Sequence, residues 1–278
     1  MPSSISCRGR LLDLSRPVVM GILNSTPDSF YDGGRFTHSD TWLAQAEKML
    51  SEGAAIIDVG GASSRPGAEV VPEAEEIRRV TQTIETVLKR FPETLISVDT
   101  WRASVASAAV QAGASIVNDI SAGRFDTDMY NSVAALQTPY ILMHMHGTPG
   151  NMPTAPAKED IVTEVLDFFI AELLKLRALG VKDIILDPGF GFGKSRKDNY
   201  KLLKNLNVFH QVTGLPVLAG LSRKSMIYKH LNITAEEALP ATTALNMVAL
   251  QQGASVLRVH DVREAVQVIR LWEMMNDE

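Results

Sequence analysis

Asp99, Asn118 and Asp187 each stand near the end of a short apolar run, as do Asn24, Asp58, Arg258 and His260. Two carboxylates that accept N–H groups, with an amide offering both a donor and an acceptor, suit a flat heterocycle with a guanidine-like edge. A second group is cationic or hydroxylic: Ser64, Arg65, Arg258, His260 and the backbone of the loops can hold phosphate oxygens, and Ser222-Arg223-Lys224 follow the seventh apolar run. Asn24 adds a neutral oxygen, and magnesium keeps most of its waters, so one such protein ligand can suffice. Any one of these residues has a plain structural explanation, because Asn and Asp favour strand ends and helix N-caps. For Asp58 alone that explanation is preferred. Independent capping does not explain the set, because it would not also gather Lys224, Arg258 and His260 in one place.

Other motifs carry less. Gly189-Phe190-Gly191-Phe192-Gly193-Lys194-Ser195 looks like a phosphate loop, but the required glycine falls on Pro188, and GxGxG is not the dinucleotide fingerprint. His144-Met145-His146 puts two imidazoles on one strand face, yet no further His at the other strand ends completes a catalytic metal site, which favours a core or loop role. Met143, Met145 and Phe192 fit barrel packing and contact with a planar ligand equally well. His38, His210 and His230 fall on helices or loops and receive no chemistry.

The elements that must position these side chains follow from hydrophobic pattern. Eight short runs, 18–24, 56–61, 95–100, 115–120, 140–145, 184–189, 216–221 and 256–261, read as strands, each apolar at its start apart from Ser115. Continuous apolar runs suit parallel strands covered on both faces, which need crossover helices between them. Segments 41–52, 73–91, 104–112, 161–179, 199–210 and 242–252 have helical spacing. A repeat of helix, glycine and strand recurs in SEGAAIID, QAGASIVND and QQGASVLR, with ALGVKDIILD as a looser copy. Its glycines, Gly53, Gly113, Gly180 and Gly253, suit the residue after a helix end.

Eight such units without a linker predict a single (β/α)8 barrel domain over residues 1–278, with segment 5–17 as a small hairpin closing the bottom. In such a barrel the active site lies at the C-terminal ends of the strands, where all the reactive residues above fall. The 278 residues are 45% hydrophobic, enough for a large core. With 27 Lys+Arg against 32 Asp+Glu, the net charge of -5 argues against nucleic acid or an anionic membrane as partner. No apolar run approaches the ~20 residues of a membrane span. The lone Cys7 excludes an internal disulfide and a Cys-based zinc site, and the start of the chain lacks a secretory h-region, which together predict a cytoplasmic protein.

The stretches MGILNSTPDSFYDGG, IIDVGGASSRPGA, SVDT, NDI, LMHMHGTP, LDPGFGFGKS, LSRKSMI and LRVHD, in this order across nearly the whole chain, resemble the dihydropteroate synthases. The resemblance implies a transferase of folate biosynthesis and a sulfonamide target, joining 6-hydroxymethyl-7,8-dihydropterin diphosphate to 4-aminobenzoate with release of diphosphate. It implies magnesium held by Asn24, and a homodimer. Asp99, Asn118, Asp187 and Lys224 would bind the pterin, and Ser64, Arg258 and His260 its diphosphate, with Val259 also among the residues that bind this substrate. Lys224, Arg258 and His260 are the catalytic candidates. Segments 26–34 and 63–67 would be mobile lids, with Phe30, Arg65, Pro66, Phe192 and Ser225 around the aminobenzoate. Three positions depart from the family pattern: Ser25 replaces the usual Val, Ala62 the usual Glu, and Ser64 the usual Thr, which keeps the hydroxyl. Two rival readings are a pterin-binding methyltransferase domain on the same barrel and a pterin-binding protein without catalysis.

Overall fold

Residues 4–25, 38–62, 71–148 and 160–276 are described by the computed structural model. An antiparallel hairpin, β1 (Ser4–Cys7) and β2 (Arg10–Asp13), comes first. The eight predicted runs then form β3 (Val18–Asn24), β4 (Ile56–Gly60), β5 (Leu95–Asp99), β6 (Ile116–Asp119), β7 (Tyr140–Met143), β8 (Ile184–Asp187), β9 (Leu218–Ala219) and β10 (Val256–Val259). All are parallel, in the order β8-β7-β6-β5-β4-β3-β10-β9, and a parallel bridge between Leu186 and Val217 brings the two edges together. β3 reaches its predicted end at Asn24, and the other seven strands stop one or two residues short of theirs.

The connecting helices are α1 (His38–Ser51), α2 (Glu73–Arg90), α3 (Ala103–Ala112), α4 (Met129–Leu136), α5 (Ile161–Ala178), α6 (Arg196–Lys204), α7 (Asn207–Thr213), α8 (Ser225–Leu231), α9 (Leu239–Gln251) and α10 (Val262–Asn276). The repeat glycines at 53, 113, 180 and 253 all adopt positive φ at helix ends, as expected. Three helices, α4, α8 and α10, were not among the six predicted segments, and segment 199–210 is two helices rather than one. The first of these begins earlier, at a capping box in which Ser195 and Asp198 satisfy each other's backbone N–H groups. It ends where the Asn205 side chain bonds the Lys201 carbonyl. No helix of the described residues is long and apolar enough to cross a membrane.

Period-two alternation sorts the strand residues into layers. Met20, Ile56, Leu95, Ile116, Ile141, Ile185, Leu218 and Val256, one from each barrel strand, form an apolar floor with Ile5, Cys7, Leu12 and Leu14 of the hairpin segment. The hairpin therefore plugs the N-terminal end of the barrel. The intervening strand residues, such as Ile57, Val98, Val117 and Leu186, pack outward against the helices in a second, larger core. Two residues beyond the floor on four of the eight strands lie Asp58, Asn118, Asp187 and Arg258, so the same alternation that builds the floor aims these polar groups into the barrel mouth.

Candidate active site

Arg258 occupies the centre of the mouth. Its Nε donates to Asp58 Oδ2 at 2.7 Å and its Nη2 to Asp99 Oδ2 at 2.6 Å. Asn118 Nδ2 also donates to Asp58 Oδ2, at 3.1 Å, and Asn118 sits opposite Asp99 in the β5–β6 ladder. Asp58 is fully buried, and its second oxygen, Oδ1, has no hydrogen-bond partner among the described residues. A charge on the apolar strand Ile56–Gly60 is tolerated only because two side chains meet it. Burial works against the charge on Arg258, but Asp58 and Asp99 outweigh it and hold the guanidinium more firmly protonated. Burial pushes the Asp99 carboxyl up, and Arg258 offsets part of that rise.

The other wall comes from β8 and the loop after it. Asp187 Oδ1 accepts the Gly189 backbone N–H at 2.7 Å, and burial raises the carboxyl while Lys224 pulls it back down. Lys224 caps α8, donates to the Phe190 carbonyl and lies 4.8 Å above the Phe192 ring. Burial pushes its ammonium down to about 8, with Asp187 opposing. Phe192 packs with Met143, Met145, Ile120, Trp101 and Phe125 in a small apolar cluster at the top of the barrel. A planar ligand between Asp99, Asn118 and Asp187 would thus find carboxylates at its edge, and an aromatic ring with a cation beside it.

The loop Gly189–Ser195 is built for close backbone approach rather than for phosphate. A Cβ at Gly189 would overlap the His144 carbonyl oxygen, and one at Gly193 the His146 carbonyl. Lys194 turns inward, with its Nζ bonding the carbonyls of His144 at 3.0 Å, Gly189 at 2.9 Å and Phe192 at 3.3 Å. Its three N–H groups are used structurally, which agrees with discounting a phosphate loop.

At the end of β10, His260 pairs through Nδ1 with Ser222 Oγ at 2.9 Å and its backbone N–H donates to the same oxygen at 3.2 Å. Arg223 points elsewhere, forking onto Asp261 at 2.7 and 2.9 Å, so the cation that this turn gives to the mouth is Lys224. Val259 is buried in the outer core, so only its main chain is on offer to a substrate, not its side chain. Ser225 begins α8 beside Lys224. Asn24 ends β3 with an exposed side chain, and a Cβ built on Gly60 would lie 3.8 Å from its Oδ1. The departure at Ser25 is absorbed locally: the buried hydroxyl donates to the Gly60 carbonyl at 2.9 Å. Phe30, Ser64, Arg65 and Pro66, with the lid segments 26–34 and 63–67, lie outside the described residues.

The structure thus brings together Asp99, Asn118, Asp187, Lys224 and Arg258, and it adds Asp58, which sequence reasoning left as a cap. The missed signal was period-two: Asp58 shares the inward face of its strand with Ile56, so its charge had to meet partners inside the barrel.

Residues 20–260 match the family described as pterin binding enzyme. The dihydropteroate synthase of Haemophilus influenzae is 45% identical over 266 residues, covering 95% of this chain and 96% of that one. A Xanthomonas albilineans dihydropteroate synthase solved with 4-aminobenzoic acid superimposes with a TM-score of 0.92 at 40% identity, covering 100% of both chains. Another structure of dihydropteroate synthase from that organism, in complex with 7,8-dihydropteroate, gives 0.88 at 38% identity, with 99% of each chain covered.

Proposed function

The chain belongs to the pterin-binding enzyme family, and from that premise we propose that its barrel mouth performs the dihydropteroate synthase reaction of folate biosynthesis. The 4-amino group of 4-aminobenzoate attacks the pterin methylene of 6-hydroxymethyl-7,8-dihydropterin diphosphate. A C–N bond forms, the C–O bond to diphosphate breaks, and 7,8-dihydropteroate and diphosphate are released. The observation that carries this reading is the meeting of an acceptor set, Asp99, Asn118 and Asp187, with the cations Lys224 and Arg258 in one mouth. The acceptors hold the pterin edge and favour positive charge growing on the ring. The cations, with His260, stabilise negative charge growing on the leaving group. No protein nucleophile is required, and Cys7 lies at the opposite end of the barrel.

Asn24 fits as the one protein ligand of a magnesium ion. Its exposed amide oxygen stands at the mouth beside Gly60, which carries no side chain to cover it, and magnesium retains water in its remaining positions. Bound magnesium would supply charge neutralisation at the diphosphate oxygens. We assign Ser64 to the diphosphate, and Arg65, Phe30, Pro66, Phe192 and Ser225 to the aminobenzoate. We assign the chain to the cytoplasm as a single functional unit. The exposed Leu271, Met274 and Met275 at the end of α10 support a homodimer.

A methyltransferase on the same barrel would share the acceptors but has no leaving diphosphate for Lys224, Arg258 and His260 to meet, and is not favoured. The deciding experiment is a diphosphate-release assay with each substrate omitted in turn. Release is expected only with both present, and appearance of 7,8-dihydropteroate should match it mole for mole. Release without 4-aminobenzoate, or none at all, would remove the proposed reaction.

A further inference from the structure

Beside the mouth, on the loop after β7, His144 and His146 meet Glu164 from the first turn of α5. We propose that these three side chains form a second metal site, distinct from Asn24, that takes a zinc-class divalent cation through His144 Nε2, His146 Nε2 and Glu164 Oε1. One ligand atom from each lies within 4.8 Å of the other two.

The hydrogen-bond geometry assigns the ligand atoms. His146 Nδ1 is 3.1 Å from the Gly193 carbonyl, and a carbonyl only accepts, so Nδ1 carries the hydrogen. In the neutral ring Nε2 then holds a lone pair, and it faces the Glu164 carboxylate, with which it is in contact. Two electron-rich atoms meet there, and a proton or a metal ion must lie between them. A proton would satisfy His146 and Glu164 but would leave His144 unexplained. His144 is 4% exposed and its Nε2 stands 3.9 Å from Glu164 Oε1, beyond hydrogen-bond reach, while its Nδ1, with no hydrogen-bond partner among the described residues, would carry the ring hydrogen and leave the Nε2 lone pair for the ion. Ligand atoms of a tetrahedral zinc with bonds of about 2.0–2.1 Å lie about 3.3 Å apart, so three atoms within 4.8 Å of one another close on one ion through small shifts of the side chains, Glu164 among them. Glu164 is 32% exposed and has room for that shift.

The ligand set also selects the ion. Two imidazoles and one carboxylate suit zinc-class metals, whereas magnesium prefers oxygen alone. The Gly193 carbonyl supplies the outer hydrogen bond that metal-bound histidines commonly have. Lys194 on the His144 carbonyl and Arg124 on the Met145 carbonyl place positive charge nearby and limit the affinity. A bound ion would tie α5 and the loop after β7 to the loop carrying Phe190 and Phe192, which touch Lys224. The site thus braces one wall of the mouth without entering it.

The test uses the untagged full chain, stripped with a chelator. Calorimetric titration with zinc should give one ion per chain, and cobalt substitution should give the visible absorption of a tetrahedral site. His146→Gln and Glu164→Gln, both at partly exposed positions, should each weaken zinc binding at least ~10-fold, the lower bound for losing even an outer partner of a metal ligand. Zinc should also raise the melting temperature of the wild type and not that of either variant, each first checked for its fold by circular dichroism. If one variant fails to fold, the other decides. No stoichiometric zinc binding by the wild type, or equal affinity in a folded variant, would overturn the site and leave a His146–Glu164 ion pair.

Discussion

Arg258 spends one side of its guanidinium on Asp58 and Asp99, which fixes the plane of the fork before any substrate arrives. A planar fork held this way can present its remaining donors to phosphate oxygens, where a Lys would act only as a point charge. Arg258→Ala should therefore slow single turnover by about 100- to 1000-fold, the range for losing one donor to a developing oxyanion, with a smaller loss of affinity for a pterin lacking diphosphate. The reverse pattern would make Arg258 a ring-binding residue. Asp187 has the complementary task. Asp187→Asn replaces a carboxylate with an amide that sets donors against the donors of the pterin edge, at about 3 kcal/mol, or roughly 100-fold in pterin affinity by calorimetry. Asn24→Ala should weaken magnesium-dependent diphosphate binding and leave binding of the bare pterin unchanged. Equal losses for the two ligands would make Asn24 structural.

The loop after β8 does its work as an element. Gly189 and Gly193 have φ of +67° and +68°, and both lie against main-chain carbonyls that cannot move as a side-chain tip can. Gly193→Ala combines a left-handed backbone with a clash on the His146 carbonyl, so it should cost about 1–3 kcal/mol in denaturant unfolding. Because this loop also holds Lys224 through the Phe190 carbonyl, pterin affinity should fall as well. A fully stable variant with normal pterin affinity would show that the loop tolerates displacement. The unpredicted helices have equally local explanations. The last one buries Val262, Ala265, Val268 and Ile269 at helical spacing, a pattern present in the sequence. The short α4 and α8 have too few turns for periodicity to stand out, and their placement depends on packing against the strands.

At the scale of the whole molecule, the barrel separates chemistry from closure: reactive groups at one end, the apolar floor and its hairpin plug at the other. Cys7 is fully buried in that plug, and burial pushes its thiol from 9.0 up to about 12. In the unfolded chain the thiol loses its proton near 9, while in the folded protein it keeps it, so stability falls as pH rises from about 9 to 12. The slope from this group approaches ~1.4 kcal/mol per pH unit, and Cys7→Ala should remove it in denaturant melts at matched pH. Thiol reagents should label Cys7 only as fast as the protein unfolds, and rapid labelling of the native protein would show that the plug opens. The strands, their parallel order and the end carrying the polar set were legible in the sequence, because continuous apolar runs ending in Asp, Asn, Arg or His encode both burial and position. The motif order across the chain likewise identified the family. What only the tertiary structure decided was partnership across strands far apart in sequence: Arg258 with Asp58 and Asp99, Asn118 with Asp58, and His144 and His146 with Glu164. Local pattern fixes which way a side chain points, but which charges meet is set by strand register and barrel closure, and those arise only when all eight strands pack together.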